Sequence, residues 1–160
     1  MKRPLLTLAV LLLIAAEGAL AELPPFVYED LQRKAPEVLY IQVSSTDVHR
    51  SLAKPHGCAF FDFEIVRQVN VEARVIRVIR SAVGVRPGDK IEIDYTSVNR
   101  CSGWSGPRSI QMLRDGDQVY AFLSRGDRAG SFVPAARGAT FSSTSPTAAD
   151  MPLVNSLAAP

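Results

Sequence analysis

The chain has 160 residues, 18 of them Lys or Arg and 16 Asp or Glu, with two cysteines, two histidines and one tryptophan. That length suits a single domain. A balance of charge this close to neutral excludes a general electrostatic pull on polyanions, so no nucleic acid is expected among its partners.

Residues 1–21, MKRPLLTLAVLLLIAAEGALA, place Lys2 and Arg3 before an apolar run from Leu5 to Ala16 and end on Ala19-Leu20-Ala21. This pattern predicts a secretory signal peptide cut after Ala21. The run is too short to cross a bilayer core, so no membrane insertion is expected once it is removed. The mature chain then starts at Glu22, has 139 residues with 16 basic and 15 acidic groups, and resides in the periplasm or outside the cell. In an oxidising compartment Cys58 and Cys101 are expected to join as a disulfide. The chain-entropy model gives such a cross-link about 4 kcal/mol.

After Leu23-Pro24-Pro25, residues 26–34 carry Val27, Tyr28 and Leu31 at helical spacing, and Pro36 ends the pattern, predicting one short amphipathic helix. Residues 37–45, EVLYIQVSS, read as a strand. Residues 46–57 read as a polar excursion ending at Pro55 and Gly57. From Phe61 to Val75 the odd positions are apolar except Arg67 and most even ones are polar, which is the period of a strand with one buried face. The phase slips after Val75, which predicts either a β-bulge or a segment covered on both faces. A straight strand over 59–80 would run about 70 Å, so a bend is expected inside it, at Arg67–Asn70. On such a strand Arg74, Arg77 and Arg80 are expected to alternate between faces. Pro87-Gly88 predicts a turn, and KIEIDY over 90–95 a strand whose acids reach those arginines across an antiparallel pair. Residues 96–109 read as a Gly/Ser loop. Asp115-Gly116 marks a turn before a strand over 118–124, and Pro134 confines a last extended piece within 131–141 to an edge or loop. Residues 142–160, rich in Ser, Thr, Ala and Pro, are expected to be a flexible tail. Several short strands with Gly/Pro turns favour a small barrel or sandwich, so the fold class is mainly β.

The segments KAPEVLYIQV, VNVEARVIRVIRSAVGVRPGDKIEIDYTSVNRC and LRDGDQVYAFL cover about half of the mature chain. In their order and spacing they resemble netrin-like and tissue-inhibitor-of-metalloproteinase-like domains. The resemblance implies a closed OB-like barrel over residues 22–141 with one N-terminal helix. The inhibitors of that family grip a protease zinc through an amino-terminal cysteine. Here the mature start is Glu22-Leu23-Pro24, so that chemistry does not carry over.

Three functions from different classes are compatible with the residues. The favoured one is a non-catalytic binding module, a monomer without a cofactor, whose partner is a protein, peptide or glycan. Its candidate surface is the loop from Arg100 to Arg108 around Trp104, since Trp and Arg are enriched at binding hot spots; the alternative reading is that Trp104 folds back to cap one end of the barrel. The second is a small periplasmic hydrolase using Ser105 in Gly103-Trp104-Ser105-Gly106, with His49 or His56 as base and Asp62 as orienting group; Pro107 stands where the second glycine of a nucleophile elbow belongs. The third is a metal-binding protein using His49 and His56, although their spacing matches no common ligand pattern and oxidation would remove the thiolates of Cys58 and Cys101.

Overall fold

The structure, a computed structural model, describes residues 22–53, 64–99 and 106–146. Helix α1 (Pro25–Lys34) opens with proline in its first turn, where the missing N–H costs nothing, and closes with Arg33 and Lys34 against the negative end of the helix dipole. Ala35 and Pro36 stop it. Six strands follow: β1 (Glu37–Ala53), β2 (Glu64–Ser81), β3 (Lys90–Asn99), β4 (Gln118–Arg125), β5 (Ser131–Pro134) and β6 (Phe141–Ser142). A single 3-10 turn, Arg137–Ala139, lies between the last two.

The strands hydrogen-bond in the order β1-β2-β3-β5-β4, and β4 pairs back with β1 to close a five-stranded barrel. All pairings are antiparallel except that between β3 and β5. This order and the single parallel contact are those of an OB-like barrel. β6 adds a short outer partner to β4 through Tyr120 and Ala121.

The alternation read from the sequence fills the interior. Val69, Val71, Ala73 and Val75 of β2, Ile91, Ile93 and Tyr95 of β3, Leu39, Ile41 and Val43 of β1, and Val119, Ala121 and Leu123 of β4 form one buried cluster with Leu113, Phe132 and Phe141. Each fully buried Val, Leu or Ile contributes about 1.5–3 kcal/mol. A second, smaller cluster lies outside the barrel wall. There α1 and residues 135–136 cover Val38 and Phe122, with Leu31, Tyr40, Tyr120 and Ile79 around them. β4 is therefore covered on both faces, which explains its unbroken run of buried residues from Val119 to Leu123.

Several expectations are corrected. Residues 46–53 continue β1 instead of leaving the sheet; they pair with β2 from Val71 to Glu64. They are polar because this half of β1 has lost β4 as a neighbour and forms an edge, where charged side chains are tolerated. The turn at Asp115-Gly116, with Gly116 at φ 87°, marks the place where β4 stops following β1. No turn interrupts β2 at Arg67–Asn70, which are paired on both sides. The bends fall further on. Tyr40 pairs with Arg77 and Ile41 with Val75, which leaves Ile76 as an extra residue; Val38 pairs with Arg80 and Leu39 with Val78, which leaves Ile79 as another. These two bulges bend and twist the strand so that β1 can meet both β2 and β4.

The bulges also reverse the expectation for the arginines. Arg74, Arg77 and Arg80 face Gln42, Tyr40 and Val38, alternate residues of β1, so all three lie on the outer face. Nor do the acids of β3 reach them: Lys90 stands opposite Arg74, and Glu92 opposite Glu72. β3 runs on to Asn99, four residues into the segment read as a loop. Finally, β5 is an interior staple. Pro134 is its last residue, opposite Leu123 and beyond the two residues that bond to β3, so its missing N–H interrupts no ladder on that side.

Candidate functional site

The residues singled out from the sequence fall into two groups. Cys58, His56, Asp62, Arg100, Cys101, Trp104 and Ser105 lie outside the described residues. Arg108 and His49 lie inside. Arg108 ties Glu22 and α1 to the barrel: its Nε donates to the Glu22 carboxylate, its guanidinium stands 5.8 Å from the Tyr28 ring centroid, and its backbone N–H donates to the Tyr28 hydroxyl at 3.0 Å. The bond to Glu22 holds the Arg108 guanidinium above its ordinary range. His49 is exposed on β1 and sits 3.3 Å from the Asp47 carboxylate. Among the described residues no group of three His, Cys, Asp or Glu side chains could hold a metal.

The outer wall formed by β2, β1 and β4 is organised in three rungs. Because β1 pairs with both neighbours, its alternate residues Val38, Tyr40 and Gln42 each have a partner on either side: Arg80 and Phe122, Arg77 and Tyr120, Arg74 and Gln118. The first rung is closed. Val38 and Phe122 are buried beneath α1, and Arg80 Nη2 donates to the Gln32 carbonyl at 3.2 Å, near the carbonyl-rich end of the helix. Burial lowers the pKa of Arg80, and the nearby Glu37 opposes that shift. Glu37 is itself fully buried, and its Oε1 accepts from the backbone N–H groups of Ala82 and Val83 at 2.9 and 3.2 Å, which pins the β2–β3 loop to the barrel.

The second rung is an arginine laid on two tyrosines. The Tyr40 and Tyr120 rings lie 4.7 Å apart, with Arg77 Cζ 5.9 and 5.7 Å from their centroids. Arg77 Nη2 donates to the Tyr120 hydroxyl at 2.5 Å, and the Tyr40 hydroxyl donates to Gln118 Oε1 at 3.1 Å. Arg–aromatic contacts of this kind fix the guanidinium plane while its other N–H groups stay available. The third rung, Arg74 with Gln42 and Gln118, is exposed. Among the described residues neither Arg74, Arg77 nor Lys90 has a carboxylate partner within ion-pair distance.

The next rows along β2 and β3 change sign. Glu72 faces Glu92 and Asn70 faces Asp94. Arg128, from the β4–β5 loop, reaches over to both β3 acids, at 3.1 Å to Glu92 and 2.9 Å to Asp94. Donation from Asn70 at 2.6 Å, more than the Arg128 guanidinium, holds the Asp94 carboxyl below its ordinary range against the opposite effect of partial burial. Two adjoining hollows of about 340 and 310 Å³ flank Lys90, Ile91, Ala129 and Gly130. The larger is lined by the apolar Val83, Val85, Ile91 and Phe132 together with Lys90 and Arg125.

Composition did not reveal this cation column. Its signal was the repeated Val-Ile-Arg triplet of residues 75–80, which is legible as a same-face pattern only after both bulges are placed. At the other end of the barrel, Arg50 stands directly opposite Arg67, whose buried Nε has no hydrogen-bond partner; this rung adjoins segments outside the described residues. Comparison with protein-family models, with curated proteins and with solved structures gave no match.

Proposed function

We propose that the chain is an exported, non-catalytic interaction module of netrin-like type. The observation that carries this reading is where the chemistry lies. The barrel interior is filled by apolar side chains, leaving a carrier's central ligand chamber no room, while its polar and cationic groups sit on the outer wall. The strand order and the helix packed at the barrel wall agree with the netrin-like resemblance. The positions of the cysteines in the chain agree with a Cys58–Cys101 bridge: Cys58 precedes β2 by six residues, Cys101 follows β3 by two, and Ile65 pairs with Asn99 at that end of the sheet. The carboxylate rows of Glu72, Glu92 and Asp94 on the β2–β3 face argue against nucleic acid, the ligand many OB barrels take on that face.

The test uses the protein recovered from the exported fraction, with its amino terminus sequenced. The expected start is Glu22. A partner identified by cross-linking in that fraction is then purified and recombined with the chain. Trp104→Ala is expected to weaken that complex at least tenfold with an unchanged melting temperature. Hydrolysis of ester or peptide substrates that disappears in Ser105→Ala, or a stoichiometric zinc or copper content, would replace this reading with the hydrolase or the metal carrier.

A further inference from the structure

We propose that Arg74 and Arg77 form a two-rung carboxylate site on the outer wall, and that its ligand is an extended acidic peptide with two acids one residue apart. This rests on the reading of the chain as a binding module and specifies the chemistry of its partner.

The first argument is the supply of hydrogen-bond donors. Arg77 spends one N–H on the Tyr120 hydroxyl and keeps the others, and the tyrosine pair fixes its plane. Tyr40 occupies Gln118 Oε1, and the amide nitrogen of the exposed Gln118 keeps its donors without a partner among the described residues. Arg74 adds a second guanidinium, and Lys90 of β3 stands directly opposite it. Two like charges directly opposite across strands destabilise an antiparallel pair, and an anion seated between them removes that cost. A surface that offers guanidinium and amide donors selects an oxyanion, and planar guanidinium selects a planar carboxylate through paired N–H contacts.

The second argument is length. The rungs are set by alternate residues of β1, Tyr40 and Gln42, so they stand about 6.6–6.8 Å apart. Alternate side chains of an extended peptide have the same repeat. The site is also bounded. On one side Arg80 is covered by α1 and engaged with Gln32; on the other, Glu72 and Glu92 repel further negative charge. Two separated carboxylates fit this stretch, and a continuous polyanion meets the acid row.

The test titrates the mature, oxidised protein into short fluorescent peptides that differ only in their central triplet, read by anisotropy at about 0.15 M salt, where exposed charges beyond a Debye length are screened. The Glu-x-Glu peptide is expected to bind at least tenfold tighter than Gln-x-Gln and several-fold tighter than a peptide with two adjacent glutamates. Arg74→Gln, which removes no contact found among the described residues, is expected to weaken the Glu-x-Glu peptide about tenfold with an unchanged melting temperature. Arg77→Lys keeps the charge but loses the planar fork and is expected to cost a similar factor. Arg125→Gln, a cation elsewhere, is expected to have no effect. Equal affinity for Glu-x-Glu and Gln-x-Gln, or full affinity in Arg74→Gln, overturns the proposal. So does tighter binding of polyphosphate or duplex DNA that depends on the same arginines. If the acidic peptide fails while a partner from the exported fraction still binds through Trp104, the module reading stands and this one falls; if neither binds, both fall.

Discussion

Tyr95→Phe tests whether the long connection between β3 and β4 is clamped from inside the barrel. The Tyr95 hydroxyl accepts the N–H of Leu113 at 3.1 Å and donates to the carbonyl of Gln111 at 3.2 Å. Tyr95 is 6% exposed and Leu113 1%, so water cannot replace the hydroxyl at the Leu113 amide. Burial also raises the pKa of this phenol, against the smaller opposite effect of the Leu113 N–H, so the group is a neutral hydroxyl at any pH of interest. Phenylalanine keeps the ring and its 5.4 Å approach to Phe141, which leaves the packing intact and isolates the hydroxyl. The cost is one buried donor left unsatisfied, about 1–3 kcal/mol; the Gln111 carbonyl belongs to an exposed residue and regains water. For a domain of this size that is a fall in Tm of about 4–12 °C. Urea unfolding is expected to show a lower midpoint with an unchanged slope, and the Leu113 amide to exchange faster with solvent. A midpoint equal to that of the parent chain would refute the clamp.

Three further outcomes are expected. The Asp94 carboxyl is depressed in the folded state, so its stabilisation is complete above the unfolded carboxylate value, about pH 4, and is lost as pH falls through the lower folded value. Asp94→Asn is accordingly expected to flatten the loss of stability below about pH 4, measured by thermal melts across that range; an unchanged acid limb would contradict the pairing with Asn70 and Arg128. Gly138→Ala would put a Cβ 2.5 Å from Cβ and the carbonyl oxygen of Arg108, forcing apart two segments that hold α1 in place; a loss of about 1–3 kcal/mol in chemical unfolding is expected, and a parental curve would disprove the close approach. Thiol titration, in denaturant, of protein recovered from outside the cytoplasm is expected to find no free sulfhydryl before reduction, whereas two reactive thiols would rule out the Cys58–Cys101 bridge.

The parts of the fold that depend on neighbours in sequence were legible. Val69 to Val75 alternate visibly, Pro87-Gly88 and Asp115-Gly116 mark their turns, and Tyr28 and Leu31 mark the inner side of α1. The parts that depend on register were not. The polar stretch from Thr46 to Ser51 gives no local sign of being a strand, because its partner, residues 66–71 of β2, supplies the order. Glu37 looks like an ordinary charged strand start. Its burial becomes intelligible only when Ala82 and Val83 arrive with two amide donors. The candidate site shares this origin. Tyr40, Arg77 and Tyr120 come from three strands and meet only after the two bulges are set, so spacing within any one segment could not have grouped them.

Those bulges make the length of β2 a quantised property. Within residues 75–80 each triplet turns its valine inward, spends its isoleucine on the bulge and turns its arginine outward. Gaining or losing a whole triplet leaves every remaining side chain on its own side of the wall. An insertion or deletion of a single residue there either erases a bulge or sends arginine into the apolar interior. Related chains that keep a bulge in every repeat should therefore differ in this stretch by multiples of three, and the arginine column should lengthen or shorten in step.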